Sequence, residues 1–306
     1  MQTSIIPPRD RGGPVRYNPR HLEARMTKRA LLIGINKYLI PGTDLRGCVN
    51  DVADLGATLT EFSGFKKSDL TVLIDKAATR KAIVSGIQKL VKASKTGDVA
   101  LLHYSGHGSN VPDDVSRRDE ADGRDEILCP YDLNWDDPLR DDWLRDTLDD
   151  VAAGVHLSVI MDCCHSGTNT RAIQPPDAPV KPRYLPSPWG IAREESRRPN
   201  PKSVTGELRR STRAARRAKD IVDADIPEVL ITGCRDTQTS ADAFIDGRFN
   251  GALTFGLIQA IRASKGRLTY RELHQRASAA LKKRKFEQVP QLESRRAQFD
   301  LPVFSA

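Results

Sequence analysis

No apolar run in this 306-residue chain approaches the roughly 20 residues needed to cross a bilayer, which argues against a membrane span. The N-terminal Pro7-Pro8-Arg9-Asp10-Arg11 lacks the apolar centre of a secretory leader, so the expected location is cytoplasmic. Cysteine is scarce, with five residues (Cys48, Cys129, Cys163, Cys164 and Cys234) and no CxxC spacing, which excludes a disulfide framework and a structural zinc site. Aromatic residues are only 6% of the chain and are nearly missing from its most basic part, Arg193 to Lys219, where only Trp189 stands just upstream. Single-stranded nucleic-acid surfaces interleave stacking rings with their cations. The net charge of +8 is therefore expected to mark a solvated loop rather than a nucleic-acid interface. There is no internal repeat.

What is present alternates. Residues 30–35, 70–74 and 99–104 are short apolar runs of the kind expected for strands buried on both faces. Between them Val49, Val52, Leu55 and Leu59 recur at helical spacing, as do Ile83, Ile87, Leu90 and Val91, and each stretch is long enough for a crossover. Residues 156–161 and 228–232 read as further strands, 253–261 and 270–281 as helices, and 289–292 as the approach to a last strand. The class is α/β with a mostly parallel sheet. From about Arg171 to Asp225 runs an interruption rich in Pro, Arg and Ser, far longer than an ordinary connection and expected to be mobile.

Two motifs fall at strand ends, where open α/β sheets bind their ligands. His103-Tyr104-Ser105-Gly106-His107-Gly108 closes the third strand, and Asp162-Cys163-Cys164-His165-Ser166-Gly167 closes the fourth. A cysteine and a histidine so placed make a thiol nucleophile with its base. In an extended ending Asp162 and Cys164 share a face while Cys163 points away, and Ser105 and His107 stand in the same relation. Periodicity alone does not choose between the two cysteines. No third residue orienting His107 is evident. Backbone N–H groups of Gly108 and Cys164 are the expected donors to an oxyanion, since glycine lets the chain approach closely.

These motifs resemble those of metacaspases, in the caspase-like clan of cysteine peptidases. So do Leu45-Arg46-Gly47-Cys48-Val49-Asn50-Asp51-Val52 and Ile231-Thr232-Gly233-Cys234-Arg235-Asp236, followed by Thr239-Ser240-Ala241-Asp242. The resemblance covers most of residues 29–300 and implies a caspase-like three-layer αβα sandwich. It implies a large catalytic part over 29–170 and a small part of the same domain over 227–306, leaving an N-terminal extension over 1–28 and a basic linker over 171–226 without family support. It makes Cys164 the nucleophile and His107 the general base and acid. It lines the pocket for the side chain before the scissile bond with Cys48, Asp51, Ser105 and Asp162. Metacaspases cleave after Arg or Lys, and two converging carboxylates suit a guanidinium.

The resemblance also implies self-cleavage in the linker, protein or peptide substrates, and a monomer. Calcium is a possible activator, with Asp125, Asp141 and Asp142 at family ligand positions; Arg171 departs from the pattern by putting a cation where relatives place an aspartate. The rival readings are a catalytically weak scaffold that binds partners and a basic linker that contacts nucleic acid.

Overall fold

The computed structural model describes residues 26–113, 123–164, 179–189, 220–235 and 238–305. The first half runs β1 (Lys28–Gly34), α1 (Cys48–Phe62), β2 (Leu70–Ile74), α2 (Arg80–Ala93) and β3 (Val99–Ser105). A small hairpin region follows, β4 (Gly108–Pro112), β5 (Arg124–Leu128) and β6 (Leu139–Arg140), leading into α3 (Asp141–Asp149) and β7 (His156–Asp162). The rest comprises β8 (Val180–Pro182), β9 (Ile221–Asp223), β10 (Val229–Thr232), β11 (Ala241–Ile245), β12 (Arg248–Gly251), α4 (Ala252–Ser264), α5 (Tyr270–Lys283) and β13 (Gln291–Ser294).

The central sheet has seven strands in the order β2-β1-β3-β7-β10-β13-β9. Its pairings are parallel except between β10 and β13. Strand periodicity sends Leu31 and Ile33 of β1 to one face and Ala30 and Leu32 to the other. On the first face they meet Ile83, Ile87 and Leu90 of α2 and Leu148 of α3. On the second they meet Val52, Leu55 and Leu59 of α1, Leu253, Leu257 and Ile261 of α4, and Leu273 of α5. The result is the expected αβα sandwich, with an apolar core on each side of a sheet whose central strands are buried.

Helix starts follow local chemistry. Thr79 caps α2 by accepting from Ala82 N, and Thr269 with Glu272 forms a reciprocal capping box at α5. The first helix has no cap from Gly47, which precedes it; Asn36 Oδ1 accepts from Cys48 N at 2.8 Å and Val49 N at 3.4 Å instead.

The structure corrects several expectations. β2 is an edge strand rather than one buried on both faces, with Val72 47% and Ile74 39% exposed. The acidic stretch from Asp113 to Asp142 contains β5 and β6, because Ile127, Leu128, Cys129 and Leu139 are buried under the first face. The long interruption supplies two strands, β8 pairing with β11 and β9 pairing with β13. Its remaining parts, 171–178 and 190–219, lie outside the described residues, as do residues 1–25 and the mobility expected there. No helix among the described residues is long and apolar enough to cross a membrane.

Candidate active site

β3 and β7 are parallel neighbours with Ser105 opposite Asp162, so their carboxyl ends emerge side by side. Beyond them the backbones of Gly108 and Cys164 come so close that a Cβ on Gly108 would lie 2.2 Å from Cys164 O; only glycine fits. Both amides point at one atom. Gly108 N and Cys164 N donate to the carbonyl oxygen of Arg183 at 3.0 and 3.2 Å. These are the two amides named above as expected oxyanion donors, and here they share one acceptor.

His107 is buried between Tyr38, whose ring centre lies 4.9 Å from its own, and the backbone of Thr43. Its Nε2 is 2.7 Å from Thr43 O. A carbonyl only accepts, so Nε2 carries the proton and Nδ1 presents its lone pair. Nδ1 is buried without a hydrogen-bond partner. Burial pushes the imidazole pKa down to about 4, so the ring is neutral at ordinary pH. The orienting partner that the sequence did not reveal is therefore a main-chain carbonyl, which leaves no mark in residue type.

Cys163 and Cys164 part as strand alternation requires. Cys163 packs into the first core with Met161, whereas Cys164 faces β10 and β11. The Cys164 thiol receives a hydrogen bond from Ser240 N and lies 3.6 Å from Ser240 O and 3.7 Å from the Cys234 sulfur.

Next to this centre is a recess of carboxylates, and a guanidinium fills it. The Arg183 side chain has no solvent exposure. Its Nη2 donates to Asp51 Oδ2 at 2.7 Å and Asp242 Oδ1 at 3.2 Å. Its Nη1 donates to Ser105 Oγ at 2.7 Å and Asp162 O at 3.0 Å, with Asp162 Oδ2 at 3.3 Å. The acids are held in turn. Asp51 accepts from Gly251 N and Ser105 Oγ, and Asp162 from Thr254 N, Thr254 Oγ1 and Ser240 Oγ. Asp242 accepts from Arg46 N and Gly47 N at the start of α1. Burial raises the Asp51 pKa to about 6 even with the guanidinium opposing it. Asp162 also raises it through like charge. Cys48 lies fully buried at the same end of α1, where burial drives its thiol pKa well upward. A Cβ on Gly251 would sit 2.2 Å from Asp162 Oδ2 and 2.4 Å from Arg183 Nη1, so the wall is open only because that residue is glycine.

The model of the caspase domain family matches residues 27–301. The chain belongs to the caspase domain family. Within that family it is a cysteine peptidase similar to metacaspases. Metacaspase-1B of Neosartorya fischeri is 31% identical over 311 residues, spanning 92% of this chain and 72% of the relative. Metacaspase-7 of Arabidopsis thaliana is 44% identical over 149 residues, 46% of this chain and 35% of that one. Among solved structures, protein GSU0716 from Geobacter sulfurreducens aligns with a TM-score of 0.59 and 30% identity over 92% of this chain and 99% of its own. Caspase-1 from Spodoptera frugiperda has a TM-score of 0.55 over 96% of both chains at 14% identity, a likeness of fold alone.

Set in this caspase-like frame, Cys48, Asp51, Ser105 and Asp162 do converge, and Gly108 and Cys164 share one acceptor. Residue reasoning missed Asp242 as a pocket member and missed Arg183 altogether. Asp242 stood inside a quoted motif, Thr239-Ser240-Ala241-Asp242, which was the available clue; Arg183 was one arginine among many in a stretch read as linker. For calcium, the fit is poor among the described residues. The Asp125 carboxylate is buried against the Arg140 guanidinium, and no group of three His, Cys, Asp or Glu side chains there is arranged to hold a metal ion. Asp141 and Asp142 occupy the first turn of α3, where acidic side chains complement the helix dipole. Arg171 lies outside the described residues. No step below is routed through a metal.

Proposed function

We propose that the protein is an endopeptidase that cleaves peptides after arginine, and more slowly after lysine, and that it processes itself within the 171–226 linker. Cys164 is the nucleophile and His107 the base that takes its proton. The oxyanion forms between Gly108 N and Cys164 N, and His107 returns the proton to the departing amine. Water then releases the acyl group from sulfur. For attack the thiol turns from Ser240 and Cys234 towards the substrate carbonyl, a rotation about the Cα–Cβ bond of Cys164.

The observation that carries this reading is the Arg183 guanidinium held by Asp51, Asp162, Asp242 and Ser105 while its own carbonyl lies between the two amides. Specificity and chemistry are thus spaced by one residue. Each charge-assisted bond in such a dry site is worth about 1.5–3 kcal/mol. Arginine divides its donors over two nitrogens, each with its own partners, whereas an ammonium gathers them at one point. Lysine is expected to lose about one tenfold step in kcat/KM.

A panel of fluorogenic peptides differing only before the reporter group tests the proposal. Arg is expected to exceed Lys by about tenfold, with Asp inert and Cys164→Ala inactive throughout. Hydrolysis after Asp at a rate matching Arg would contradict it.

A further inference from the structure

The segment around Arg183 does more than place one side chain. β8 lies antiparallel on β11, with Val180 opposite Ala243, Lys181 opposite Asp242 and Pro182 opposite Ala241. Main-chain bonds continue this ladder at both ends, from Phe244 N to Pro179 O at 2.9 Å and from Arg183 N to Ser240 O at 2.9 Å. Lys181 Nζ donates to Asp44 O at 3.1 Å. Past the arginine the strand runs beside β4. Tyr184 bridges to Gly108, Leu185 N donates to Gly108 O at 2.9 Å, and Ser109 Oγ donates to Leu185 O at 2.5 Å. The chain thus crosses the whole cleft in extended form, with side chains seated on both sides of one peptide bond. An extended peptide added to a sheet edge, with pockets for particular side chains, is a general mode of peptide recognition.

We infer that Val180–Leu185 is the enzyme's own first substrate, that the bond broken in self-processing is Arg183–Tyr184, and that the intact strand closes the cleft to every other substrate. The inference rests on the arginine reading above and deepens it. Cys164 sulfur, its proton passed to His107, bonds to the Arg183 carbonyl carbon. The carbonyl oxygen becomes the oxyanion between Gly108 N and Cys164 N. The carbon–nitrogen bond to Tyr184 breaks, and the new amine takes the proton from His107. Water adds to the thioester, leaving Arg183 with a carboxylate and Cys164 with its thiol. No oxidant or second reactant enters.

Cleavage opens the site because the block is covalently tethered. While intact, residues 180–185 are held at high effective concentration by the chain on either side. Once cut, the stretch ending at Arg183 has a free end and departs as an ordinary product. The same strand also forecasts the sequence that the open enzyme prefers. Pro182 precedes the arginine, at a position where the ladder takes nothing from its nitrogen, and a basic side chain precedes the proline, where Asp44 offers its carbonyl.

The test follows purified wild type and Cys164→Ala, with and without added calcium. Mass spectrometry maps new termini, and hydrolysis of a Val-Lys-Pro-Arg reporter amide is read in the same samples. Wild type is expected to acquire a C-terminus at Arg183 and an N-terminus at Tyr184, with reporter hydrolysis rising in step, at least tenfold from uncut to cut. Cys164→Ala stays whole. Arg183→Lys, which keeps a cation in the recess, is cut at the same bond more slowly; Arg183→Gln is not cut there. Should the glutamine variant fail to fold, the lysine variant and the wild-type termini still decide. Full reporter hydrolysis with Arg183–Tyr184 intact, or activation that follows a cut elsewhere in the linker, would overturn the inference while leaving arginine preference standing. Absence of arginyl hydrolysis under every condition would overturn both.

Discussion

Asp242 is the residue on which pocket and scaffold meet. One carboxylate oxygen faces both the Arg183 guanidinium and Gly47 N, and the other receives Arg46 N, so the side chain holds the turn that enters α1 while it lines the recess. Asp242→Asn keeps an acceptor for the Arg46 and Gly47 amides and removes the charge. The expected outcome is a rise in KM and about a tenfold or greater loss of kcat/KM for arginyl peptides, with kcat on a bound substrate much less affected, measured by steady-state hydrolysis. At this scale the sequence exposed the acids that sit at strand ends and a helix start, Asp162 and Asp51, because their motifs marked them. It hid the groups that act through the backbone. Thr43 contributes a carbonyl oxygen to His107, and no residue type advertises that. Arg183 was hidden differently. A basic stretch reads as solvated, and only the folded chain shows that one of its cations is the largest fully buried side chain among the described residues.

Among elements, legibility follows apolar content. β1, β3 and β7 lie in the middle of the sheet, and their unbroken apolar runs locate β3 and β7 to within a residue and β1 to within two; β2 matched its run even at an edge. The helices α1, α2, α4 and α5 followed from spacing, since each buries one stripe against the sheet. Strands that build the cleft escaped. β4 is Gly-Ser-Asn-Val-Pro and β8 is Val-Lys-Pro, too short and too polar to show a period. Their stability comes from partners remote in sequence, β5 and β11, which no local window contains. The elements that make the scaffold were therefore readable, while those that line the candidate cleft were not. The consequence for β11 is functional. Its edge is the template that β8 occupies, and any substrate taking that place must supply the same main-chain partners to Ser240 O and Phe244 N.

For the whole molecule, buried ionisable groups set the response to acid. His103, buried with Nε2 3.2 Å from Thr254 Oγ1, and His107 both have pKa values pushed down to about 4 by burial. Burial lowers His274 as well. Below the ordinary imidazole value near 6.5 the unfolded chain takes up protons that the native rings refuse, so stability falls with pH until about 4. Asp51 acts in the opposite sense. Its native pKa near 6 lies above the unfolded value, so its protonation favours the native state as pH falls through that range. The lowered histidines outnumber the one raised carboxyl, so the net effect between about pH 6 and 4 is a loss of stability as pH falls. Denaturant titrations at pH 7 and pH 5 are expected to show lower stability at the acid value; equal or greater stability at pH 5 would mean that the histidines are not buried as described.

The account as a whole depends on three carboxylates and a hydroxyl reading the guanidinium of the residue whose own carbonyl is attacked. The measurement that reaches it most directly compares two peptides on the Val-Lys-Pro frame, one ending in arginine and one in citrulline, which keeps the shape and loses the charge. The expected result, with processed enzyme, is a fall of at least a hundredfold in kcat/KM for citrulline. Equal hydrolysis of the two would contradict the central claim.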